Sequence, residues 1–207
     1  MLNELIKRYP ALSVCEGDIS TALDVITECY RKGGKLLLCG NGGSSADCDH
    51  IVGELMKDFL IKRPLGEDLK TRMRDRLPAI DEEMLDKLQL GLPAVSLPSI
   101  TGFNTAFCND RDPELVYAQG VLALAGENDV LVAISTSGNA KNVFRAAEVA
   151  KGLGLKVIGL SGMTGGKLKG LSDTCICVPE CETYKIQEMH LCVYHFLCAE
   201  IERRFFG

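Results

Sequence analysis

Residues 35–54 constrain the fold of this chain more than any other stretch; they read K-L-L-L-C-G-N-G-G-S-S-A-D-C-D-H-I-V-G-E. An apolar run ends in four turn-forming residues, Gly40 to Gly43, and a helical pattern begins at Ser44. The pattern predicts a buried strand, a glycine-rich turn and a helix, because glycine permits tight backbone turns and a helix start has free N–H groups. Such a turn is a ready site for an anion.

Two chemically active side chains follow within the predicted helix. His50 and Glu54 are four residues apart and therefore share one face of the helix. An imidazole and a carboxylate near an anion site are typical of a reaction centre. A plain strand–turn–helix with a core histidine fits this stretch equally well, and the rest of the chain has to decide between the two interpretations.

The composition indicates one α/β domain. A chain of 207 residues, 46% of them apolar, is long enough for one sizeable core and too short for two. We find no leader-like start and no apolar run that approaches a membrane span, so we expect a cytoplasmic protein without a membrane partner. The net charge of −5 argues against nucleic acid as a partner. It permits a phosphorylated small molecule, because backbone amides can hold phosphate without lysine.

The ten cysteines are expected to be reduced thiols, because we expect the protein to be cytoplasmic. Cys175, Cys177 and Cys181 form the densest group, but C-x-C-x3-C lacks the paired C-x-x-C of structural zinc sites. We therefore expect these three cysteines to pack in and around a strand rather than to bind a metal.

Short apolar runs alternate with helical patterns along the chain. This alternation predicts an α/β fold with a doubly wound, five-stranded parallel sheet and helices on both faces. The predicted strands are residues 35–39, 93–97, 129–134, 156–160 and 174–178. The predicted helices are residues 1–33 (broken near Pro10 and Gly17), 44–60, two that begin near Pro113 and Ala140, and 183–206, with a polar loop after residue 100 that carries Asn109 and Asp110.

Residues 62–91 differ in character from the flanking sequence. Charged residues are dense, Pro64, Pro78 and Gly91 interrupt the segment, and leucines recur at helical spacing. The pattern predicts a pair of exposed amphipathic helices inserted between core elements. A solvated excursion, a lid and a subunit contact all fit this segment.

The predicted strands end in polar, turn-forming sequences. In parallel α/β sheets ligands bind beyond the carboxyl ends of the strands. Those ends here carry G-N-G-G-S, N-D, S-T-S-G-N and S-G-M-T-G-G. The first turn lacks the third glycine of a dinucleotide fingerprint, and no P-loop sequence occurs, so the turns fit the terminal phosphate of a small ligand better than a nucleotide.

These motifs together resemble the sugar isomerase (SIS) domain family. The resemblance rests on G-N-G-G-S, H-x-x-x-E, S-T-S-G-N and I-Q-E-x-H-x4-H, and within the family the chain is most similar to the sedoheptulose 7-phosphate isomerases, or phosphoheptose isomerases. It implies a single SIS domain over residues 1–207, with residues 62–91 as a charged helical insertion. It also implies a flavodoxin-like sheet, a homotetramer with active sites shared between subunits, and an aldose–ketose isomerisation of a phosphorylated sugar.

The resemblance implies a role for each matching residue. Glu54 and His195 would be the acid–base pair, and His50, Glu54, Gln187 and His195 would bind one zinc ion per subunit. The substrate-binding residues would be Asn41, Gly42, Gly43, Ser44, Glu54, Asn109, Asp110, Ser135, Thr136, Ser137 and Gln187.

The reaction needs these residue types. Moving a carbonyl from C2 to C1 requires removal of a proton from C1, an enediol, and delivery of a proton to C2. A carboxylate such as Glu54 suits the base and an imidazole such as His195 suits the acid. Zinc could polarise the carbonyl or only fix the site, and histidine, glutamate and glutamine provide nitrogen and oxygen ligands for it.

The spacing within the last helix adds an inference. Gln187 and His195 are eight residues apart, which corresponds to ~12 Å along a helix and roughly 80° around it. Zinc–ligand bonds of about 2.0–2.2 Å do not easily bring both onto one ion. We therefore predict a site that combines two chains, with either His195 or Gln187 donated by a neighbour. His190, between them, has no such role and is predicted to be a core histidine.

Three departures from the family pattern bear on the substrate and leave another phosphorylated ketose or aldose as an alternative to the heptose. The usual S-T-S-G-N-S ends here in Ala140, Tyr184 stands where an acidic residue is common, and the 62–91 segment is unusually long. A non-catalytic SIS protein, such as a phosphosugar sensor or an adaptor of the replication-initiator type, is the alternative. Retention of both His50/Glu54 and Gln187/His195 favours the enzyme, because a binder needs only the phosphate turns.

Overall fold

A computed structural model describes residues 2–207; Met1, part of the first predicted helical region, lies outside the described residues. The predicted α/β fold is confirmed: one five-stranded sheet with all neighbouring strands parallel, in the order β2-β1-β3-β4-β5. The strands are β1 (Leu36–Cys39), β2 (Ala94–Ser96), β3 (Val130–Ser135), β4 (Lys156–Ser161) and β5 (Thr174–Cys177).

Helices connect and cover the strands. The α-helices are α1 (Leu2–Arg8), α2 (Glu16–Arg31), α3 (Gly43–Met56), α4 (Glu67–Arg76), α5 (Glu82–Lys87), α6 (Thr101–Asp110), α7 (Val116–Leu124), α8 (Lys141–Gly152), α9 (Gly166–Leu171) and α10 (Thr183–Phe206). Three 3-10 helices, Pro10–Cys15, Leu97–Ser99 and Pro113–Leu115, lie between them.

The sheet separates two hydrophobic cores because side chains alternate between its faces. Leu36 and Leu38 of β1 point into a core that contains buried residues of α2, α3 and α10. Leu37 and Cys39 point to the opposite core, which contains buried residues of α7 and α8. Every residue of β1 and β3 is buried, as expected for central strands of a parallel sheet.

Most predicted elements form within one or two residues of their predicted bounds, and the exceptions are helix α6, the break in the first helical region and the end of α3. The segment Thr101–Asp110, predicted to be a polar loop, is helix α6. Phe103 and Phe107 are four residues apart, and their partly buried rings pack on the second core with centroids 5.7 Å apart. This tertiary contact outweighs the low helix propensity of Gly102 and the asparagines. Gly17, predicted to break the first helical region, lies inside α2, and the break is at Pro10.

Helix α3 ends four residues earlier than the prediction of Leu60. The chain leaves the helix at Lys57, and the N–H groups of Phe59, Leu60 and Ile61 donate to the carboxylate of Glu202 on α10 at 2.7–3.1 Å. Three charge-assisted hydrogen bonds from one short stretch favour the extended turn over another turn of helix.

A buried ion pair holds this turn to the helices on either side of it. Arg63 and Glu202 have fully buried side chains, and Arg63 Nε donates to Glu202 Oε1 at 2.8 Å. Arg63 also donates to the carbonyl oxygens of Leu55 and Glu54 at 2.7 and 3.3 Å, near the end of α3. The pair therefore satisfies backbone groups at the end of α3 and ties them to α10.

The segment 62–91 contains α4 and α5, joined by ion pairs across their surfaces. Arg74 donates to Glu82, and Lys70 donates to Asp86 at 2.6 Å. Leu85 is fully buried beneath this pair of helices, whereas Leu77 and Leu88 are exposed.

All ten cysteines are free thiols. Cys175 and Cys177 lie in β5 with their sulfur atoms 3.7 Å apart, in agreement with the predicted strand packing, whereas Cys181 is exposed beyond the end of β5 and the prediction was wrong for it. Within residues 2–207, no helix combines the length and the apolar character required to span a bilayer. The cytoplasmic location and the absence of a nucleic-acid partner stay predictions.

Glu202→Gln is expected to lower the free energy of unfolding by about 3–5 kcal/mol, because it leaves the buried Arg63 guanidinium without its counter-charge. Urea denaturation measures the change. Glu82→Gln is the matched control: it removes the partner of Arg74 from an exposed pair and should change stability little. Equal midpoints for Glu202→Gln and the parent would contradict this assignment.

Candidate active site

The first candidate site element is the turn between β1 and α3. Gly42 caps α3 with φ of +56°, a conformation that L side chains rarely adopt, and α3 begins at Gly43. The turn is held from two sides. Tyr117 of α7 donates to the carbonyl oxygen of Gly40 at 2.8 Å, and Asn41 exchanges hydrogen bonds with Asn142 of α8 at 2.8 and 2.9 Å. The start of α3 is therefore fixed at the carboxyl edge of the sheet.

The second element is the S-T-S-G-N turn that follows β3. Gly138 has φ of +66°, and a Cβ atom there would clash with the backbone of Gly165 in the next strand–helix turn. Ser161 Oγ donates to the carbonyl oxygen of Ser135 at 2.7 Å, and the N–H of Gly162 donates to that of Thr136 at 2.9 Å. The backbone of this turn is thus anchored to β4, which leaves the Thr136 and Ser137 side chains at the edge of the sheet.

Both turns line one cavity of about 320 Å³. Gln187 of α10 leans over the first turn, since a Cβ atom on Gly43 would collide with its amide. None of the lining residues within the described chain is charged. An anion in this cavity would depend on hydroxyls, on backbone N–H groups and on the positive end of α3. The predicted residues that line it are Asn41, Gly42, Gly43, Ser44, Ser135, Thr136, Ser137 and Gln187.

A second group of predicted residues meets elsewhere. His50 Nε2 lies 3.1 Å from Glu54 Oε1 on α3 and 3.4 Å from Nε2 of His195 on α10. The two imidazole rings are nearly perpendicular, with centroids 4.9 Å apart. Glu54 is mostly buried, and its Oε2 atom has no hydrogen-bond partner in residues 2–207; the nearest cation, Lys57, is 3.6 Å away. Carboxylate and imidazole are thus close enough to act on one substrate.

The environment of His195 favours its neutral form. Burial, and then repulsion from His50, lowers the pKa of His195, and attraction to Glu54 opposes the shift only in part. A neutral imidazole can donate a hydrogen bond from one nitrogen and accept or ligate with the other.

The two groups lie apart within one chain. Gly43 and Glu54 are at opposite ends of α3, ~16 Å apart along the helix axis. Gln187 lines the cavity of the turns, whereas His195 lines a separate cavity of about 460 Å³ with Phe59 and Arg8. The structure therefore brings His195 to His50 and Glu54 and leaves Gln187 with the turns.

Asn109 and Asp110 join neither group. Both are exposed at the end of α6, and Asn109 Nδ2 donates to Asp110 Oδ1 at 2.9 Å. Asp110 lines a further cavity with Phe103 and Arg111. Their predicted contact with a substrate has no counterpart in the geometry of a single chain.

The cluster of His50, Glu54 and His195 fits part of a zinc site. Bonds of about 2.0–2.2 Å in a tetrahedron place ligand atoms ~3.3–3.6 Å apart. The 3.4 Å between the two imidazoles falls in this range, and the 3.1 Å to Glu54 is slightly short of it. Across residues 2–207 no group of three or more His, Cys, Asp or Glu side chains is arranged so that it could hold a metal ion by itself. The unpartnered Glu54 Oε2 and the nitrogen donors thus make a partial set of ligands.

Sequence reasoning missed the residues that support the turns. Tyr117 and Asn142 contact the glycine-rich turn from α7 and α8, about 75 and 100 residues away in the chain. Neither lies in a recognisable motif, so spacing gives no signal for them. Their position follows from the packing of α7 and α8 on the second core.

The fold and the turns define the class of protein. Two family models, each described as SIS domain, match residues 106–198 and 10–89. The matches cover the S-T-S turn with most of α10, and the glycine-rich turn with the His50 helix.

Comparison with individual proteins identifies the family within this class. The phosphoheptose isomerase of Helicobacter pylori (strain P12) is 40% identical over 90% of this chain and 84% of its own. The phosphoheptose isomerase GmhA from Neisseria gonorrhoeae superposes with a TM-score of 0.75 at 32% identity, over 97% of this chain and 94% of that one. That of Francisella tularensis has a TM-score of 0.77 at 29% identity, over 95% and 91%. The chain belongs to the phosphoheptose isomerase family, a family of isomerases.

His190 is a core histidine, as predicted. It is fully buried on α10, and neither ring nitrogen has a hydrogen bond of good geometry within residues 2–207. Burial lowers the pKa of His190 from 6.5 to about 4, although the backbone of Ser161 opposes the shift. The folded protein therefore holds this imidazole neutral where the unfolded chain would protonate it.

Stability should consequently fall in mild acid. Below pH 6.5 the unfolded chain binds a proton at His190, whereas the folded protein does not bind this proton until the pH falls to about 4. The difference in pKa contributes up to about 3 kcal/mol to the free energy of unfolding near neutral pH, and this contribution is lost at the lower of the two pH values. Urea denaturation from pH 7.5 to 4 measures it, and His190→Gln should flatten the curve between these values. An identical pH dependence in both proteins would contradict the assignment.

Proposed function

We propose that this chain converts sedoheptulose 7-phosphate into D-glycero-D-manno-heptose 7-phosphate through an enediol. One observation carries the proposal: a carboxylate, Glu54, and an imidazole, His195, meet at His50 in a protein whose relatives are called phosphoheptose isomerases. The alternative of a non-catalytic sensor or adaptor is not favoured, because such a protein needs the phosphate turns and has no use for this cluster.

The chain's own residues account for each proton. Glu54 removes the proton from C1, and the electron pair of that bond forms the C1–C2 double bond of the enediol. The N–H of His195 donates a proton to the carbonyl oxygen at C2, which suits the neutral form that its lowered pKa favours. Protonated Glu54 then delivers a proton to C2 while the C1 hydroxyl returns its proton to His195. Acid and base each contribute a factor of ~10²–10⁴.

The phosphate is held in the cavity between the two turns. Ser135, Thr136 and Ser137 supply hydroxyl and N–H groups, and the start of α3 supplies a partial positive charge. Since no lysine or arginine of the described chain lines the cavity, these dipoles balance the phosphate charge. Ala140 removes one hydroxyl that the family pattern provides, and the remaining serines and threonine are sufficient for a phosphate monoester.

The active site combines residues of more than one subunit. A phosphate bound at the start of α3 is ~16 Å along the helix axis from Glu54 of the same chain, which exceeds the reach of a heptose. A neighbouring copy that brings its turns and Gln187 to His50, Glu54 and His195 would close the gap. This supports active sites shared between subunits, as in the homotetramer that the resemblance implies, and it favours Gln187 over His195 as the residue donated by the neighbour.

The same arrangement supports one zinc ion per subunit. His50, Glu54 and His195 would hold it, with Gln187 of a neighbouring subunit completing the set. When bound, the ion would polarise the substrate carbonyl and stabilise the enediolate. The spacing of the two imidazoles and the unpartnered Glu54 Oε2 support this assignment.

Glu54→Gln is expected to reduce turnover by at least ~10²-fold, because the amide cannot accept the proton from C1. The measurement is ¹H and ³¹P NMR on a panel of sugar phosphates that includes sedoheptulose 7-phosphate. The parent protein should convert the heptose, and binding of the phosphorylated ligand should survive in the variant. A parent that converts no heptose phosphate would overturn the proposed function, and an active variant would remove Glu54 as the base.

Ser137→Ala is the contrasting variant in the other cavity. Loss of a hydrogen bond to a charged phosphate should raise KM by about 10-fold or more while kcat changes little. Unchanged KM would displace the S-T-S turn as the phosphate anchor.

Purified protein should carry about one zinc per chain after dialysis, and His50→Ala should lose it, because the variant removes one of the two imidazole ligands and leaves Glu54, His195 and the weakly binding amide of Gln187. Inductively coupled plasma mass spectrometry measures the number of zinc ions per chain. Ser137→Ala, which leaves the His–Glu cluster intact, is the control and should retain the metal. A zinc-free parent protein that still isomerises its substrate would contradict the assignment of a metal to this site.

A further inference from the structure

We propose that Tyr194 is a positioning residue that fixes the ring orientation and the tautomer of His50, by linking it to the buried carboxylate of Asp47. The inference deepens the proposed function and rests on it, since His50 belongs to the proposed reaction centre. No motif in the sequence singles out Tyr194 or Asp47.

Tyr194 lies between the two helices that carry the reaction centre. It is buried on α10, with 2% of its surface exposed. Its hydroxyl oxygen is 3.0 Å from His50 Nδ1 and donates to Asp47 Oδ1 at 3.3 Å. Its ring contacts both imidazoles edge to face, with centroids 5.4 Å from His50 and 5.1 Å from His195. Hydroxyl and ring therefore both constrain His50.

The count of hydrogens determines the tautomer. A tyrosine hydroxyl has one hydrogen, and here it is donated to the Asp47 carboxylate. The short contact between His50 Nδ1 and the hydroxyl oxygen then requires the hydrogen to be on Nδ1. The opposite arrangement, with the hydroxyl donating to His50, would deprive Asp47 of this bond although its Oδ2 atom already lacks a partner in residues 2–207. An unmade bond at a buried acceptor is costly.

A hydrogen on Nδ1 leaves the lone pair of His50 on Nε2. Nε2 is the atom that faces Glu54 Oε1 and His195 Nε2. The chain from Asp47 through Tyr194 therefore directs a nitrogen lone pair into the reaction centre, where it can accept a proton or bind a cation. Supporting hydrogen bonds of this kind fix the tautomer and the ring orientation of a histidine.

The test is Tyr194→Phe, which removes the hydroxyl and keeps the ring. Two-bond ¹H–¹⁵N correlation spectra of the metal-free protein report the tautomer of His50 directly. The parent should show the hydrogen on Nδ1, and the variant should shift towards Nε2. Affinity for zinc, titrated as the metal alone, should fall ~10–100-fold. For sedoheptulose 7-phosphate, kcat should fall similarly while KM changes little, because the phosphate turns lie in another cavity.

Tyr30→Phe is the matched control. Tyr30 is also buried, and its hydroxyl has no hydrogen-bond partner in residues 2–207, so this variant removes the same atom from a core tyrosine away from the cluster. It should leave the His50 tautomer, zinc affinity and kcat at their parental values.

Asp47→Ala asks the same question from the other end of the chain of bonds. It removes the acceptor of the tyrosine hydrogen, so the hydroxyl can donate to His50 Nδ1, which should move the hydrogen of His50 to Nε2. If Tyr194→Phe fails to fold, this variant decides the matter by the same spectra.

The outcomes separate this inference from the proposed function. A parental tautomer and parental zinc affinity in Tyr194→Phe, or a parental tautomer in Asp47→Ala, would overturn the role of Tyr194. A shifted tautomer in a protein that converts no heptose phosphate would retain the positioning role and reject the substrate.

Discussion

The buried ion pair between Arg63 and Glu202 fixes how α3 packs against α10. Its two charges are fully shielded from solvent, so each must satisfy the other and the backbone groups nearby. Arg63 binds the carbonyl oxygens of Glu54 and Leu55, and Glu202 binds three N–H groups of the turn that follows α3. Because α3 carries His50 and Glu54 while α10 carries His195, this pair helps to set the relative position of these three side chains.

The two candidate regions differ in the kinds of groups that they present to a ligand. At the turns, glycines and anchored carbonyl groups arrange backbone N–H groups and hydroxyls, and the lining residues of the described chain include no charged side chain. At the His–Glu cluster, partial burial lowers the pKa of His195 and leaves a carboxylate oxygen of Glu54 unpartnered. Dipoles suit a ligand group whose charge stays constant, whereas titratable groups suit atoms that exchange protons. The separation of the two regions along α3 and α10 is what makes a shared site between subunits attractive.

Local sequence patterns were sufficient for most of the fold. The apolar runs that form β1 and residues 130–134 of β3, with the glycine-containing turns that follow them, predict buried strands and their ends, because both signals are local. Helix α6 could not be found this way: its glycine and asparagines favour turns, and only the packing of Phe103 and Phe107 on the core makes it helical. The early end of α3 has a similar origin, since it follows from hydrogen bonds to Glu202, about 140 residues further along the chain.

The sequence by itself determined which side chains are able to exchange protons, that His50 and Glu54 share a helix face, and that Gln187 and His195 are ~12 Å apart along α10. Helical geometry fixes such distances along an element. Only the tertiary structure decided which element each side chain faces. It placed His195 with His50, Gln187 with the phosphate turns, Asn109 and Asp110 with neither, and Tyr194 between His50 and Asp47. These choices depend on how α10 crosses α3, and that crossing is set by contacts between residues distant in the chain.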